Sequence, residues 1–129
     1  MAVRSYKPLV DHMSIGLDSG RESGERVAAR FQAMLNEGLL DEVTSLAPRI
    51  GRTAAQALGY KELLRVVAGT KDIATASTEA VSATRALVKR QRTFFRRDPR
   101  IDWIPWQDEG QERIRCAVSR VGEVAGWTS

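Results

Sequence analysis

The chain has 129 residues, enough for one domain with its own core, and its 43% hydrophobic content, 28% charged content and net charge of +4 exclude a disordered class. One cysteine and one histidine exclude an internal disulfide and a four-ligand zinc site, and no apolar run reaches the roughly 18 residues of a membrane span. The N-terminus has no apolar segment of a secretory signal, so we expect a cytoplasmic protein without a membrane partner.

The first predicted elements are a short strand and two helices. Met13–Leu17 is a candidate strand, and Ser19 with Glu22 has the spacing of a capping box that starts a helix. Gly38 is placed to end this helix, and a second helix over Leu39–Ala47 is stopped by a proline. Apolar residues recur at helical intervals on the predicted buried face of the first helix: Val27, Phe31, Met34 and Leu35.

A glycine divides the next predicted segment. Thr53 can cap a helix over Ala54–Leu58, and Gly59 interrupts the pattern before it resumes over Tyr60–Ala68 and ends at Gly69. A glycine inside a helix costs about 1 kcal/mol relative to alanine. Gly59 therefore marks either a close backbone approach to a partner or a plain break in the helix.

The longest predicted helix runs from about Ile73 to Arg97 and stops before Pro99. Ile101–Trp106 alternates in polarity, but its proline limits it to an edge strand or an extended segment. Gln111–Ala125 is predicted as an amphipathic helix whose inward residues are Ile114, Val118, Val121, Val124 and Ala125. The predicted architecture is mainly α.

Positive charge is concentrated at the end of the long helix. Residues 85–100 contain seven basic residues and one acid, so the rest of the chain carries a small net negative charge. Such a cluster favours a polyanionic partner, because each neutralised phosphate releases a condensed counterion. The basic residues are Arg85, Lys89, Arg90, Arg92, Arg96, Arg97 and Arg100.

On a helical wheel the basic side chains flank a mostly apolar arc, which consists of Val81, Thr84, Leu87, Val88, Gln91, Phe94 and Phe95. One ridge consists of Arg85, Lys89, Arg92 and Arg96, and Arg90 and Arg97 lie on the other flank. Most charge runs are solvated helix faces, but this ridge lacks acids at i±4, and arginine suits forked phosphate contacts. We predict RNA or another phosphate-rich partner, with Phe94 and Phe95 in the core rather than stacked on bases.

Four blocks resemble, in order, segments of the tRNA dimethylallyltransferase family. ATRALVKRQRTFFRRDPRIDW looks like its C-terminal signature, close to T-R-x-x-A-K-R-Q-x-T-W-F-R. IGLD at Ile15–Asp18, RVAARFQAMLNEGLLDEV at Arg26–Val43 and ALGYKELL at Ala57–Leu64 resemble three further segments. The resemblance covers about residues 15–106. Phe94 stands where the family usually has Trp, and Val88 where it usually has Ala.

The resemblance implies the helical C-terminal part of a P-loop α/β transferase, assigned to residues 14–129 as a tRNA-binding half after a poorly defined start over residues 1–13. The family transfers a dimethylallyl group from dimethylallyl diphosphate to the exocyclic amine of the adenosine 3′ of the tRNA anticodon, after flipping the base. The implied partners are therefore the tRNA anticodon stem-loop and dimethylallyl diphosphate, and the implied cofactor is Mg²⁺ beside the diphosphate.

The resemblance also implies individual roles. Arg30 matches an arginine that faces the reaction channel and the diphosphate, although Arg26 and Arg30 could equally pair with Glu22 or Glu25. Tyr60 suits the core better than a stacked base, and Lys61 could meet a phosphate or a surface acid. With Arg85 from the ridge, the residues expected at tRNA are Gln56, Ala57, Leu58, Gly59, Tyr60, Lys61, Arg85, Lys89, Arg90, Gln91, Arg92, Thr93, Phe94, Phe95 and Arg96.

The chain departs from the family where the chemistry begins. It contains no G-x-x-x-x-G-K-[ST] loop and no counterpart of the catalytic aspartate that follows it, because Asp18 belongs to the IGLD turn. We therefore expect a fragment without catalytic residues or Mg²⁺ ligands, which binds tRNA weakly, transfers nothing alone, and self-associates through an uncovered apolar face. The alternatives are a free-standing basic helical RNA-binding module and a helical domain whose ridge meets an acidic protein.

Overall fold

The computed structural model describes residues 7, 9–18, 20 and 22–126, and its contacts form two compact units. We call residues 22–90 the helical unit, and residues 1–21 with 91–129 the strand unit. Helices predominate in the described residues, as predicted, and a two-stranded parallel sheet accompanies them. No helix in those same ranges is long and apolar enough to cross a membrane.

The helical unit contains α1 (Ser23–Asn36), α2 (Leu39–Leu46), a 3-10 turn (Ala54–Gln56), α3 (Tyr60–Val67) and the first part of α4 (Ile73–Phe95). The predicted helix boundaries are confirmed within two residues, except that α1 begins later than the predicted capping box indicates and the helix predicted over residues 54–58 is only the 3-10 turn. The side chain of Thr53 makes no cap hydrogen bond to this turn, and the extended backbone of Ala57 ends it after Gln56.

The core of the helical unit lies where α2 and α3 meet. Leu39, Val43 and Leu63 are buried, and partly buried residues surround them: Phe31, Met34, Leu35, Leu40, Tyr60, Leu64 and Val66. Three of the four residues predicted on the buried face of α1 are in this set, and Val27 is half-buried. The helical period of α1 therefore identified its packed face correctly.

The ends of α1 agree only in part with the predicted signals. The helix begins at Ser23, so Glu22 is its N-cap rather than its third residue, and Ser19 lies outside the described residues. Gly38 follows the C-cap with φ of +103°, which an L side chain rarely adopts, and it also starts α2. The predicted stop at Gly38 is confirmed.

Gly59 is the N-cap of α3, and the interruption of the helical pattern predicted at this glycine is confirmed. Ala57 is extended and Gly59 has φ of +89°, so the chain leaves helical geometry before it enters α3. The Gly59 amide donates to Glu62 Oε2 at 2.9 Å, which caps the helix. A Cβ on Gly59 would lie 3.2 Å from Phe31 Cε2. This glycine is required by its backbone conformation and by packing inside the unit.

The strand unit contains β1 (Ser14–Asp18), β2 (Ile101–Pro105) and α5 (Gly110–Ala125). The strands are parallel and in register, with Gly16 beside Trp103. A Cβ on Gly16 would lie 2.6 Å from Trp103 Cε3, so the indole ring lies over the bare glycine. Both predicted strands are thus confirmed.

Most of the α5 residues predicted to face inward are exposed. Ile114, Val118 and Val124 are 66%, 57% and 65% exposed, so the prediction was wrong for them, whereas Val121 is half-buried as predicted. A neighbouring side of the helix makes the contacts: Arg120 Nη1 donates to Asp102 at 2.9 and 3.1 Å, and the Arg113 guanidinium lies 4.3 Å from the Trp106 ring centre. Apolar periodicity identified the stripe, whereas the polar partners beside β2 determine which side is covered.

Candidate nucleic-acid interface

The apolar arc of α4 is buried at one end and exposed at the other. Ala76 and Ala80 are fully buried in the helical unit, and Leu87 and Val88 are half-buried. In the strand unit Gln91 is exposed, as are Phe94 at 50% and Phe95 at 46%, so the prediction that both phenylalanines are core residues was wrong. The two rings meet edge to face, with centres 5.2 Å apart.

The second part of the basic ridge is paired with an acid from β1. Arg92 Nη2 donates to Asp18 Oδ1 at 2.9 Å, and Arg96 Nη2 donates to Asp18 Oδ2 at 2.8 Å. The ridge lacks acids at i±4, as the sequence indicates, but these two arginines are nevertheless paired with an acid. The acid comes from a distant part of the sequence, which a search at i±4 does not reach.

The environment of Asp18 favours its charged form. Partial burial alone would raise the pKa of this carboxyl group, but the Gly20 amide and the hydrogen bond from Arg96, with the charges of Arg92 and Arg96, outweigh it. The pKa of Asp18 is therefore lowered from 3.8. Asp18 is thus ionised at neutral pH and cancels one of the two arginine charges.

The first part of the ridge lies in the helical unit. Arg85 Nε donates to the Gly24 carbonyl at 3.0 Å, near the start of α1. A Cβ at Gly24 would lie 3.2 Å from that nitrogen, so the glycine permits the contact. Lys89 and Arg90 are exposed, and Arg90 makes no side-chain hydrogen bond or ion pair with any described residue. Arg90 therefore keeps its full donor capacity.

The opposite flank continues into the strand unit with Arg97. Its side chain is exposed and makes no hydrogen bond or ion pair within the described ranges. Thr93 is also exposed. The residues from 91 to 97 thus present aromatic rings and guanidinium groups to solvent, a combination suited to unpaired bases and phosphates.

The predicted segment 56–61 is mixed in exposure. Gln56, Ala57, Leu58 and Lys61 are exposed, whereas Gly59 is buried and Tyr60 half-buried against the core. The Tyr60 hydroxyl donates to the Glu42 carboxylate, and this hydrogen bond raises the pKa of Tyr60 above 10.0. Tyr60 therefore has the core position that the sequence favoured, and Lys61 makes no ion pair within the described part of the chain.

Arg30 is exposed on α1 and makes no ion pair with a described residue. Its neighbour Arg26 approaches Glu22 to 3.9 Å, which is one of the pairings that the sequence left open. The guanidinium of Arg30 is thus available to an anion, as a role beside a diphosphate requires.

The described residues offer no ligand set for a metal ion. Among residues 7, 9–18, 20 and 22–126, no three His, Cys, Asp or Glu side chains are grouped so that they could hold one. The Mg²⁺ ion implied by the family resemblance does not fit these residues.

Asp18 is the residue of this site that the sequence pattern missed. One signal was available, since a ridge of arginines without local acids needs a partner from elsewhere or a bound anion. The sequence contains 16 acidic residues and nothing in their spacing selects one of them. Only the return of α4 to the end of β1 brings Asp18 to Arg92 and Arg96.

Comparison with known sequences gives consistent matches. The profile of the family described as IPP transferase matches residues 3–98. A tRNA dimethylallyltransferase of Pseudarthrobacter chlorophenolicus is 45% identical over 107 residues, which are 80% of this chain and 35% of that protein. One from a Parafrankia species is 38% identical over 125 residues, 94% of this chain and 37% of that protein. The chain thus spans about a third of the length of these relatives.

Two solved structures share the fold. The tRNA isopentenylpyrophosphate transferase of Bacillus halodurans matches 86% of this chain and 38% of its own, with a TM-score of 0.76 and 29% identity. The tRNA delta(2)-isopentenylpyrophosphate transferase of Staphylococcus epidermidis matches 86% of this chain and 37% of its own, with a TM-score of 0.71 and 26% identity.

Proposed function

Because the chain belongs to the IPP transferase family, we propose that it supplies the tRNA-binding part of a tRNA dimethylallyltransferase. Such an enzyme transfers a dimethylallyl group from dimethylallyl diphosphate to the exocyclic amine of the adenosine 3′ of the anticodon. The chain corresponds to about a third of the length of its relatives. We assign the P-loop, the catalytic aspartate and the Mg²⁺ ligands to the other two thirds.

The observation that carries this proposal is the composition and exposure of the second half of α4. Arg90 and Arg97 present guanidinium groups without partners in the described residues, and Phe94 and Phe95 present ring surface. Phosphate contacts would fix the position of an anticodon stem-loop, and the rings would hold its unstacked bases. An acidic protein would use the arginines but has no bases for the rings.

Arg30 has a different part in this proposal. It lies on α1 in the helical unit, where its exposed guanidinium is available to a diphosphate oxygen. We also propose that Gln56, Ala57, Leu58 and Lys61 contact the tRNA, because these residues are exposed. Tyr60 and Gly59 support that surface from inside, since Tyr60 packs on the core and Gly59 sets the start of α3.

Binding of a labelled anticodon stem-loop, followed by fluorescence anisotropy over a range of salt, tests the RNA part. We expect weak binding whose affinity falls steeply with salt, by about 0.7–0.9 in log–log slope for each phosphate contacted. The double variant Arg90→Gln with Arg97→Gln should bind the stem-loop more weakly, and its affinity should depend less steeply on salt. A matched control, Arg65→Gln with Arg115→Gln, removes two charges elsewhere, and an equal loss in both would contradict the assignment.

A transfer assay tests the division of labour. The purified 129-residue chain with dimethylallyl diphosphate, Mg²⁺ and the stem-loop should give no modified adenosine, because it lacks the phosphate-binding loop. Adding the separately produced N-terminal two thirds of the Pseudarthrobacter chlorophenolicus relative should restore modification. Stem-loop binding that never leads to modification in the mixture would favour the free-standing RNA-binding module instead.

The exposed side of α5 supports a further element of the proposal, self-association. Ile114, Val118 and Val124 lie on one stripe of the helix and are each more than half exposed. Apolar stripes of this kind favour contact with another apolar surface. Two copies of the same stripe can meet about a two-fold axis, so we propose a weak dimer of the isolated chain.

A further inference from the structure

The pairing of Asp18 with Arg92 and Arg96 has the form of an occupied anion site. The two carboxylate oxygens are shared between the arginines: Oδ1 accepts from Arg92 at 2.9 Å and Oδ2 from Arg96 at 2.8 Å. Two guanidinium groups one helical turn apart would donate hydrogen bonds to the unesterified oxygens of a phosphate in the same manner. The chain thus holds one of its own carboxylates where an external oxyanion would fit.

The pairing leaves donors of both arginines unused. Arg92 Nε is buried and meets no acceptor among the described residues. The Arg96 side chain is 56% exposed, so an anion from solvent can reach its guanidinium directly. An unsatisfied buried donor costs free energy, which reduces the advantage of this particular carboxylate over another anion. Because Arg92 Nε has no acceptor among the described residues, the hydrogen bonds around Asp18 are incomplete, and this favours exchange of Asp18 for another anion.

We propose that Arg92 and Arg96 form a binding site for one backbone phosphate of RNA, and that Asp18 occupies this site until the phosphate displaces it. The proposal rests on the RNA-binding function proposed above, and it adds that Asp18 competes with the RNA phosphate for the two arginines. A free phosphate and a phosphate of the stem-loop both have to displace Asp18, but the stem-loop is already held at other contacts, which raise the effective concentration of its phosphate at the site. Asp18 thus favours ligands that engage the whole surface.

The charges around the pair are consistent with exchange. Within the strand unit Asp98 is already bound by Arg100 and Asp102 by Arg120, so each has a cation of its own. The Gly20 amide, two residues after the end of β1, donates to Asp18 Oδ1 at 3.2 Å. When a phosphate enters, the Asp18 carboxylate can keep this hydrogen bond and turn towards solvent.

The test is the Asp18→Asn variant, which keeps the side-chain shape and removes the competing charge. We expect stem-loop affinity to rise roughly three- to tenfold and the log–log salt slope to steepen by roughly one phosphate equivalent. The control Asp102→Asn also removes an acid that is paired with an arginine of the same unit. It should change affinity by less than about twofold and leave the slope unchanged.

Removing the arginines completes a cycle. Arg92→Gln with Arg96→Gln in the Asp18→Asn background should abolish the gain, because the freed site no longer exists. If Asp18→Asn lowers the melting temperature appreciably, Asp18→Ser serves as a second variant that removes the charge with a smaller side chain. A gain equal to that of Asp102→Asn, or weaker binding by both Asp18 variants, would overturn the proposal.

A readout without RNA separates this inference from the proposed function. Inorganic phosphate should stabilise Asp18→Asn against thermal unfolding at concentrations that leave the wild type unaffected, because ligands that bind the native state raise its stability. If no variant binds the stem-loop but phosphate stabilises Asp18→Asn, the RNA assignment fails and the anion site stands. If phosphate has no selective effect and the affinity gain is absent, the anion site fails.

Discussion

At the residue scale, Phe94 and Phe95 show that apolar residues on one face of a helix can be buried at one end and exposed at the other. Both rings continue the apolar arc that is buried at Ala76 and Ala80, yet they are about half exposed. Half-exposed rings beside arginines are typical of surfaces that stack unpaired bases. Their exposure therefore supports a role in binding rather than in the core.

Phe95→Ala tests that role. We expect stem-loop affinity to fall roughly five- to hundredfold, as for other aromatic side chains that stack on a base. Phe95→Tyr should bind nearly as the wild type does, because it retains the ring. Val118→Ala is the matched control, since Val118 is an exposed apolar residue outside the basic segment. Unchanged affinity for Phe95→Ala in anisotropy titrations would remove the ring from the interface.

Asp98 gives a pH-dependent prediction at the same scale. Hydrogen bonds from Arg100 lower the pKa of this carboxyl group from 3.8 to about 2. Because the folded pKa is the lower one, the pairing stabilises the fold above about pH 4 and is lost as pH falls towards 2. The melting temperature of the wild type should therefore fall more steeply between pH 4 and pH 2 than that of Asp98→Asn.

A carboxyl-carbon NMR titration locates the cause of this shift. The pKa of Asp98 should return towards 3.8 in the Arg100→Gln variant, since the hydrogen bond from that guanidinium is the main cause of the lowered pKa. Arg97→Gln removes a neighbouring charge that has no contact with Asp98 in the described residues and should leave the titration in place. The same low value in both variants would exclude Arg100 as the cause.

At the element scale, α3 depends on a cap made by a buried acid. Glu62 is 7% exposed, and its carboxylate accepts the Gly59 amide that begins the helix. Glu62→Ala should lower the free energy of unfolding by about 1–2 kcal/mol, because a buried amide loses its acceptor. Glu62→Gln keeps an acceptor oxygen and should lose less. Denaturant titration followed by circular dichroism measures both, and equal stability of Glu62→Ala and the wild type would refute the cap.

Also at this scale, α5 shows what helical periodicity leaves open. The sequence identifies Ile114, Val118 and Val124 as one stripe, and they do form one. The helix nevertheless turns its polar side to the strand, because Asp102 and Trp106 there bind Arg120 and Arg113. The side of α5 that is covered is the side whose residues have partners in the chain, and the apolar stripe therefore stays exposed.

At the scale of the whole molecule, this stripe predicts association of the isolated chain. Sedimentation velocity should show a weight-average mass that rises with concentration, because two apolar stripes lose water when they meet. Ile114→Lys with Val118→Lys should remain monomeric, since the cations repel across a two-fold axis. Arg115→Lys with Ser119→Lys is a control on the same helix. Concentration-independent mass for the wild type would exclude the dimer.

The sequence by itself determined most elements, because local physics sets them. The period of α1 gave its buried face, Gly38 gave its end, and the proline-limited strand at Ile101–Pro105 is present. Four ordered motifs also gave the family, since each carries side chains and glycines at fixed spacing. The basic content of α4 was likewise evident, as charge needs no fold to be counted.

Tertiary structure alone decided which of these residues face solvent and which charges are free. Exposure of Phe94 and Phe95 depends on what the rest of the chain places against α4, which periodicity does not encode. The ion pairs of Arg92 and Arg96 join residues more than 70 positions apart, and one of 16 acids had to be selected by the fold. Long-range pairing depends on the tertiary fold, so the sequence alone did not identify Asp18 as the partner of Arg92 and Arg96.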